Sequence, residues 1–172
     1  MILIVSMCKE KLSEKEFILP LVRLAGAYTL RHYSEIRKLD IARADKIIIS
    51  GTALKDFDYL QGNFSWIKTC RKPILGICAG MQVIARAFNA QLEDFTAIGP
   101  RKVTVVKKNE LIKGDFDAYF LHTKTATSGF EVLATTDGKP CLIKHPEQYI
   151  YGCSFHPEVM NANIISDFVA YL

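Results

Sequence analysis

Apolar residues fall into two rhythms along the first half of the chain. Ile2-Leu3-Ile4-Val5, Ile47-Ile48-Ile49 and Ile74-Leu75 with Ile77 are short unbroken runs, the signature of strands buried on both faces. Between them, Phe17, Ile18, Leu21, Val22, Leu24 and Ala25 recur at helical spacing, as do Val83, Ile84, Ala87 and Phe88. The pattern predicts a strand over 2–6, followed by a helix capped by Ser13 with Glu16 reaching back. That helix ends near Gly26 and is kinked at Pro20. A short strand over 28–33 comes next, and Ala44-Asp45 leads into a strand over 46–50. Residues 54–62 read as a polar loop or short helix, and 64–70 as a short helix. A strand over 73–77 then runs into a helix that ends near Asn89. Strand-helix alternation of this kind predicts an α/β fold: a doubly wound, open, mostly parallel sheet with flanking helices and right-handed crossovers.

The second half changes rhythm. Residues 101–106, 117–121, 130–135, 140–144 and 149–154 are strand-like runs, broken at Lys113-Gly114 and Asp137-Gly138. Asp137-Gly138 before Lys139 is a hairpin signal, so a small mixed or antiparallel extension should follow the parallel sheet. A last helix is expected over 163–172. No repeat or linker interrupts the pattern, and one domain over 1–172 is expected.

Composition narrows the class. The chain has 172 residues, 49% hydrophobic and 23% charged, as expected for a globular protein able to form a full core. Its apolar runs are strand-length, and no basic stretch precedes the first, so a membrane helix or leader is not expected and the location should be cytoplasmic. A net charge of +4 spread over scattered lysines and arginines lacks the dense footprint of a nucleic-acid surface. Five cysteines without a C-x-x-C pair point to reduced thiols and to neither a disulfide framework nor a metal site.

Candidate chemistry concentrates at Gly76-Ile77-Cys78-Ala79-Gly80-Met81-Gln82. Here a buried strand turns into a helix with a thiol at the corner, flanked by residues small enough for a tight turn. A cysteine at a helix N-terminus gains from the partial positive charge there. Near the C-terminus, Phe155-His156-Pro157-Glu158-Val159 places a base and a carboxylate two residues apart. The strand over 46–50 enters a glycine-containing loop, Ser50-Gly51-Thr52, that can present a backbone N–H. Together these are the parts of an activated nucleophile for acyl transfer. His145-Pro146-Glu147 is a second His-Pro-Glu tripeptide. Its flanks are polar and it reads as a surface turn.

The elbow resembles the G-[IV]-C-x-G-x-Q motif of class I (triad-type) glutamine amidotransferases, and the second segment resembles their F-H-P-E box. The 78 residues (156 − 78) from Cys78 to His156 match the usual spacing. The resemblance implies a flavodoxin-like sheet and a Cys78, His156, Glu158 triad acting on L-glutamine. It implies an oxyanion hole of backbone N–H groups from Ala79 and the Gly51-Thr52 turn. Gln82 would contact the substrate glutamine, and the backbone at Leu121-His122 would help bind its α-amino and carboxylate groups. Residues 129–136 and the box look most like the glutaminase part of GMP synthase, in the archaeal arrangement where the glutaminase is a chain of its own. With 14 residues after Glu158 (172 − 158), no ATP-pyrophosphatase domain is expected here. The implied partner is a separate ATP-dependent synthetase chain, with ATP and Mg on that partner and no cofactor or metal in this chain.

Four places depart from the family pattern. Thr52-Ala53 stands where the family has Gly-Pro, and threonine does not take a positive φ cheaply, so the turn is expected to need a partner to place its N–H. Met81 precedes Gln82, the loop over 123–128 is short, and the first strand ends in Met7-Cys8-Lys9. Two other readings stay open: a divergent amidotransferase or γ-glutamyl cysteine hydrolase without ammonia transfer, and a non-catalytic partner-binding relative.

Overall fold

The computed structural model describes residues 1–126 and 129–172. Strands β1 (Ile2–Ser6), β2 (Tyr28–His32), β3 (Lys46–Ile49), β4 (Ile74–Ile77) and β9 (Ile150–Cys153) pair in parallel in the order β2-β1-β3-β4-β9. The sheet continues antiparallel through β8 (Lys139–Lys144), β7 (Glu131–Thr136), β5 (Leu92–Val105) and β6 (Phe116–Ala126). Helices α1 (Glu14–Phe17), α2 (Leu19–Ala25), α3 (Lys38–Arg43), α4 (Trp66–Thr69), α5 (Ala79–Ala87), α6 (Pro157–Met160) and α7 (Ala162–Tyr171) connect and flank these strands. Among the described residues no helix is long and apolar enough to cross a membrane.

Both faces of the parallel sheet are covered, which is why its strands read as unbroken apolar runs. Ile2 and Ile4 of β1 face a core shared with Leu21 and Ala25 of α2 and Ile164, Ile165 and Phe168 of α7. Leu3 and Val5 face the other core, with Ile67 of α4 and Ala79, Val83 and Ile84 of α5. The expected doubly wound sheet with an antiparallel extension is therefore present. At the β7–β8 hairpin, Thr136 pairs with Lys139, and Asp137 and Gly138 both have positive φ, 49° and 75°. This is the handedness a two-residue hairpin turn requires.

Several local expectations are corrected. The helix predicted over 13–26 is two helices, broken at Ile18, with Pro20 in the first turn of α2, where a missing N–H costs nothing. Ser13 lies in the helical region itself and its side chain makes no capping hydrogen bond, so the capping box does not form. Helix α3 was not expected. It carries one buried residue, Asp40, bound by Arg31 and Arg37, and so lacks an apolar stripe to read. Strand β5 begins nine residues earlier than expected. Of the loop expected over 123–128, Thr123–Ala126 continues β6, and residues 127 and 128 lie outside the described residues.

Candidate active site

Strand register assembles the site. Ile49 of β3 lies beside Gly76 of β4, and Ile77 lies beside Cys153 of β9. The residues just past these strand ends, Gly51, Cys78 and His156, therefore meet at the carboxyl edge of the sheet. In doubly wound sheets this edge carries the ligand site. The chain reverses direction across the sheet between β1 and β3, and the site extends from that switch point over the ends of β3, β4 and β9.

Cys78 sits at the corner between β4 and α5 with φ 51° and ψ −102°. For a residue bearing a side chain this backbone is strained by about 1–3 kcal/mol, and the surrounding packing has to impose it. The neighbouring glycines show how. A Cβ on Gly80 would lie 2.3 Å from the carbonyl oxygen of Ile49, and one on Gly76 would lie 2.6 Å from the Gly80 carbonyl. Helix α5 thus packs backbone-to-backbone against β3 and β4. The Cys78 N–H donates to the Cys153 carbonyl at 2.7 Å, tying the corner to β9. Ala79, the first residue of α5, has an N–H that no helix carbonyl can serve.

His156 is 1% exposed and clamped on three sides. Its backbone N–H donates to Tyr119 of β6, its ring packs on Phe17 at 5.6 Å, and Gly51 lies flat against it. A Cβ on Gly51 would lie 2.5 Å from the His156 Cε1 and 3.5 Å from the Cys78 Cβ, so position 51 excludes any side chain. His156 Nδ1 donates to Glu158 Oε1 at 2.7 Å, and both side chains are buried. That fixes the ring so that Nε2 is the nitrogen left for chemistry. Burial pulls the imidazolium down in pKa, but the charge of Cys78 and the hydrogen bond and charge of Glu158 outweigh it. The result is a rise to about 10. Cys78 Sγ contacts the Leu121 carbonyl at 3.5 Å.

The remaining sequence candidates converge on the same place. Thr52, Ala79, Gln82, Leu121 and His122 line one cleft with Cys78. Gly51 directs its carbonyl to the Ser50 hydroxyl at 2.8 Å and the Cys8 thiol at 3.9 Å. In a trans peptide the following N–H, that of Thr52, points the opposite way. Thr52 is not among the residues with positive φ, and its hydroxyl donates to Asp56 Oδ2 at 2.7 Å. Asp56 also accepts the Lys9 N–H at 2.8 Å, so the turn after β3 is pinned to the loop after β1. The cleft has room for about 10 Å³, one water at most, so a ligand the size of an amino acid requires part of its lining to move.

His122 is buried. Its Nδ1 donates to the Phe95 carbonyl at 3.1 Å, and burial lowers its pKa to about 4, so the ring is neutral at pH 7. His145 lies elsewhere. It is in the turn between β8 and β9 and packs on Phe88 at 4.4 Å. Phe88 follows Cys78 by ten residues along α5, about 15 Å at the helical rise. Tyr59, Asp56 and Phe17 were not among the sequence candidates. Phe17 carried a signal only as a core position, and the other two stand in a loop without periodicity.

Cys78, a buried His-Glu pair, and N–H groups at a helix start and an adjacent turn can support nucleophilic attack on a carboxamide, with proton transfer to the leaving nitrogen.

A sequence profile described as "Glutamine amidotransferase class-I" matches residues 16–168. A glutamine-hydrolyzing GMP synthase subunit of Methanococcus maripaludis is 40% identical over 100 residues, 51% of each chain. The same-named protein of Methanocaldococcus jannaschii is 36% identical over 127 residues, 66% of this chain and 64% of that one. The match thus spans about half to two-thirds of the length of these relatives. In fold, the chain is similar to a crystal structure from Thermoplasma acidophilum described as a candidate GMP synthase subunit. The TM-score is 0.81 and the identity 22%, over 98% of this chain and 92% of that one. A glutamine amidotransferase from Thermotoga maritima superposes with a TM-score of 0.70 and 14% identity, over 99% and 90% of the two chains.

Proposed function

Since the chain belongs to the class-I glutamine amidotransferase family, we propose that it hydrolyses L-glutamine to glutamate and ammonia through a thioester on Cys78. The ammonia would pass to a separate ATP-dependent synthetase chain of the GMP synthase type. The observation that carries this reading is Cys78 on a strained strand-helix corner, with Gly51 packed closely beside both Cys78 and a His156 held by Glu158. The names of the relatives support the choice of partner.

In the proposed reaction the Cys78 thiolate attacks the γ-carboxamide carbon. The carbonyl oxygen becomes an oxyanion, stabilised by the Ala79 N–H and an N–H of the Gly51-Thr52 turn. The His156 imidazolium, kept protonated by its raised pKa, gives its proton to the leaving nitrogen. The C–N bond breaks, ammonia leaves, and a γ-glutamyl thioester remains. Neutral His156 then takes a proton from water as the hydroxide adds to the thioester. Collapse releases glutamate and restores the thiolate and imidazolium. Glu158 holds the ring through both steps. ATP and its metal would act only on the partner.

The test is ammonia release from L-glutamine by the purified chain, alone and with an ATP-dependent synthetase chain co-purified from the native source. Turnover that disappears in Cys78→Ala and rises with the synthetase supports the reading. Turnover retained in Cys78→Ala contradicts it.

A further inference from the structure

Tyr59 lies in a single turn over 58–61 and is 2% exposed; it shares the cleft with Cys78 and Gln82. Its hydroxyl donates to Gln82 Oε1 at 2.6 Å, and Gln82 Nε2 donates to the Lys124 carbonyl at 3.2 Å. The second contact decides the first. A backbone carbonyl can only accept, so the nitrogen of the amide must face Lys124 on β6 and the oxygen must face Tyr59. Burial pushes the Tyr59 hydroxyl up in pKa, and the charges of Cys78 and Asp56 add to this, so it remains a donor at any working pH.

Resting on the glutaminase reading above, we propose that Tyr59 is a positioning residue. Together with the Lys124 carbonyl, it holds the Gln82 carboxamide so that the cleft meets an N–H donor, which selects the α-carboxylate of the substrate. With Oε1 committed to Tyr59 and one N–H to Lys124, Gln82 can offer its other N–H to a ligand. An amide turned by 180° would instead present an oxygen to that carboxylate and repel it. Gln82 stands in the first turn of α5, four residues from Cys78. Fixing the substrate's α-carbon end there sets where its γ-carboxamide falls relative to the thiol.

The test is a cycle of Tyr59→Phe, Gln82→Ala and the double variant, with steady-state kinetics on L-glutamine and on its α-carboxamide derivative. Tyr59→Phe should raise KM for L-glutamine roughly tenfold, the effect of losing one hydrogen bond to a charged group, with kcat within about twofold. KM for the α-carboxamide should hardly change, and Tyr59→Phe should add nothing once Gln82 is alanine. Gln82→Glu keeps the side chain's shape but replaces the donor by an acceptor. It should penalise L-glutamine over the α-carboxamide even if Tyr59→Phe fails to fold. Equal losses on both substrates, or additive effects in the cycle, would overturn the proposal. A wild-type chain that turns over neither substrate would remove the glutaminase reading, and this inference with it. Normal wild-type turnover with unselective variants would remove the inference alone.

Discussion

Glu158 Oε1 accepts the Nδ1–H of His156 at 2.7 Å, and each side chain is only 1% exposed. The two residues are separated only by Pro157, which opens α6, so the helix start holds the carboxylate where the imidazole needs it. Because the pair is buried, its charges are little screened, and Cys78 first and Glu158 second hold the imidazolium well above its ordinary range against the opposing pull of burial.

A pH prediction follows from the sign of that shift. The imidazolium is the form that protonates the leaving nitrogen, so kcat/KM should hold through neutral pH and fall as His156 loses its proton toward pH 10. Glu158→Gln removes a group that raises this pKa. Its alkaline limb should move to lower pH, and its turnover should drop at all pH values. Stability has the same sense: what the raised imidazolium contributes is complete below about pH 6.5 and is lost as pH rises toward 10. A pH series of activity and thermal midpoints for both proteins reads both effects.

The two His-Pro-Glu tripeptides should separate cleanly. His156→Ala should lower glutaminase turnover by at least roughly 10²-fold, since it removes the proton donor and acceptor. His145→Ala, in a turn packed on Phe88, should leave turnover within a few-fold. Equal or reversed effects in a turnover assay would contradict the site assignment.

His122 makes an acid-side prediction. It is buried and neutral, with its pKa lowered by burial to about 4, whereas the unfolded chain protonates near pH 6.5. A group depressed in the fold contributes stability above its unfolded pKa, and that contribution is lost as pH falls from about 6.5 to about 4. Its share of the slope is at most about 1.4 kcal/mol per pH unit. Denaturation at pH 7 and pH 4.5 should show a smaller pH penalty in His122→Gln than in the wild type. Equal penalties would contradict the assignment.

Thr52 should limit the basal rate. Its hydroxyl is tied to Asp56, which also holds the Lys9 N–H, and the cleft under this turn is nearly closed. If the turn must move to admit glutamine and aim its N–H, the isolated chain lacks one oxyanion donor. That loss is worth about 3 kcal/mol, or roughly 10²-fold in rate. Thr52→Gly should raise basal glutaminase activity and shrink the stimulation by the synthetase. An unchanged basal rate in Thr52→Gly would show that the turn is already in place.

The elbow and the F-H-P-E box were legible in sequence because each is local. Gly76, Cys78 and Gly80 encode a tight corner through their own small size, and His156 and Glu158 are two residues apart. The parallel strands were legible because burial on both faces leaves unbroken apolar runs. What stayed hidden depends on distant pairing. Tyr59 matters through Gln82, 23 residues away, and Asp56 through Lys9, 47 residues away; neither stands in a periodic segment. Strand β5 is longer than its sequence pattern indicates because Gly99 and Pro100 interrupt that pattern. Gly99 takes φ 87° within a strand that pairs with β6 on both sides of it. The Ser13 cap failed because a turn over 11–13 already carries the chain into helical geometry before Glu14.

The most direct test of the central claim is a thiol count with a γ-electrophilic glutamine analogue, located by peptide mass mapping. Burial raises the Cys8 thiol to about 11 and Cys141 to about 12, raises Cys70, and holds Cys153 well above its ordinary value. Those four should stay protonated and inert at neutral pH. The account predicts one label per chain, on Cys78, prevented by excess L-glutamine and absent in Cys78→Ala. Labelling at any other cysteine, or at Cys78 without protection by glutamine, would contradict it.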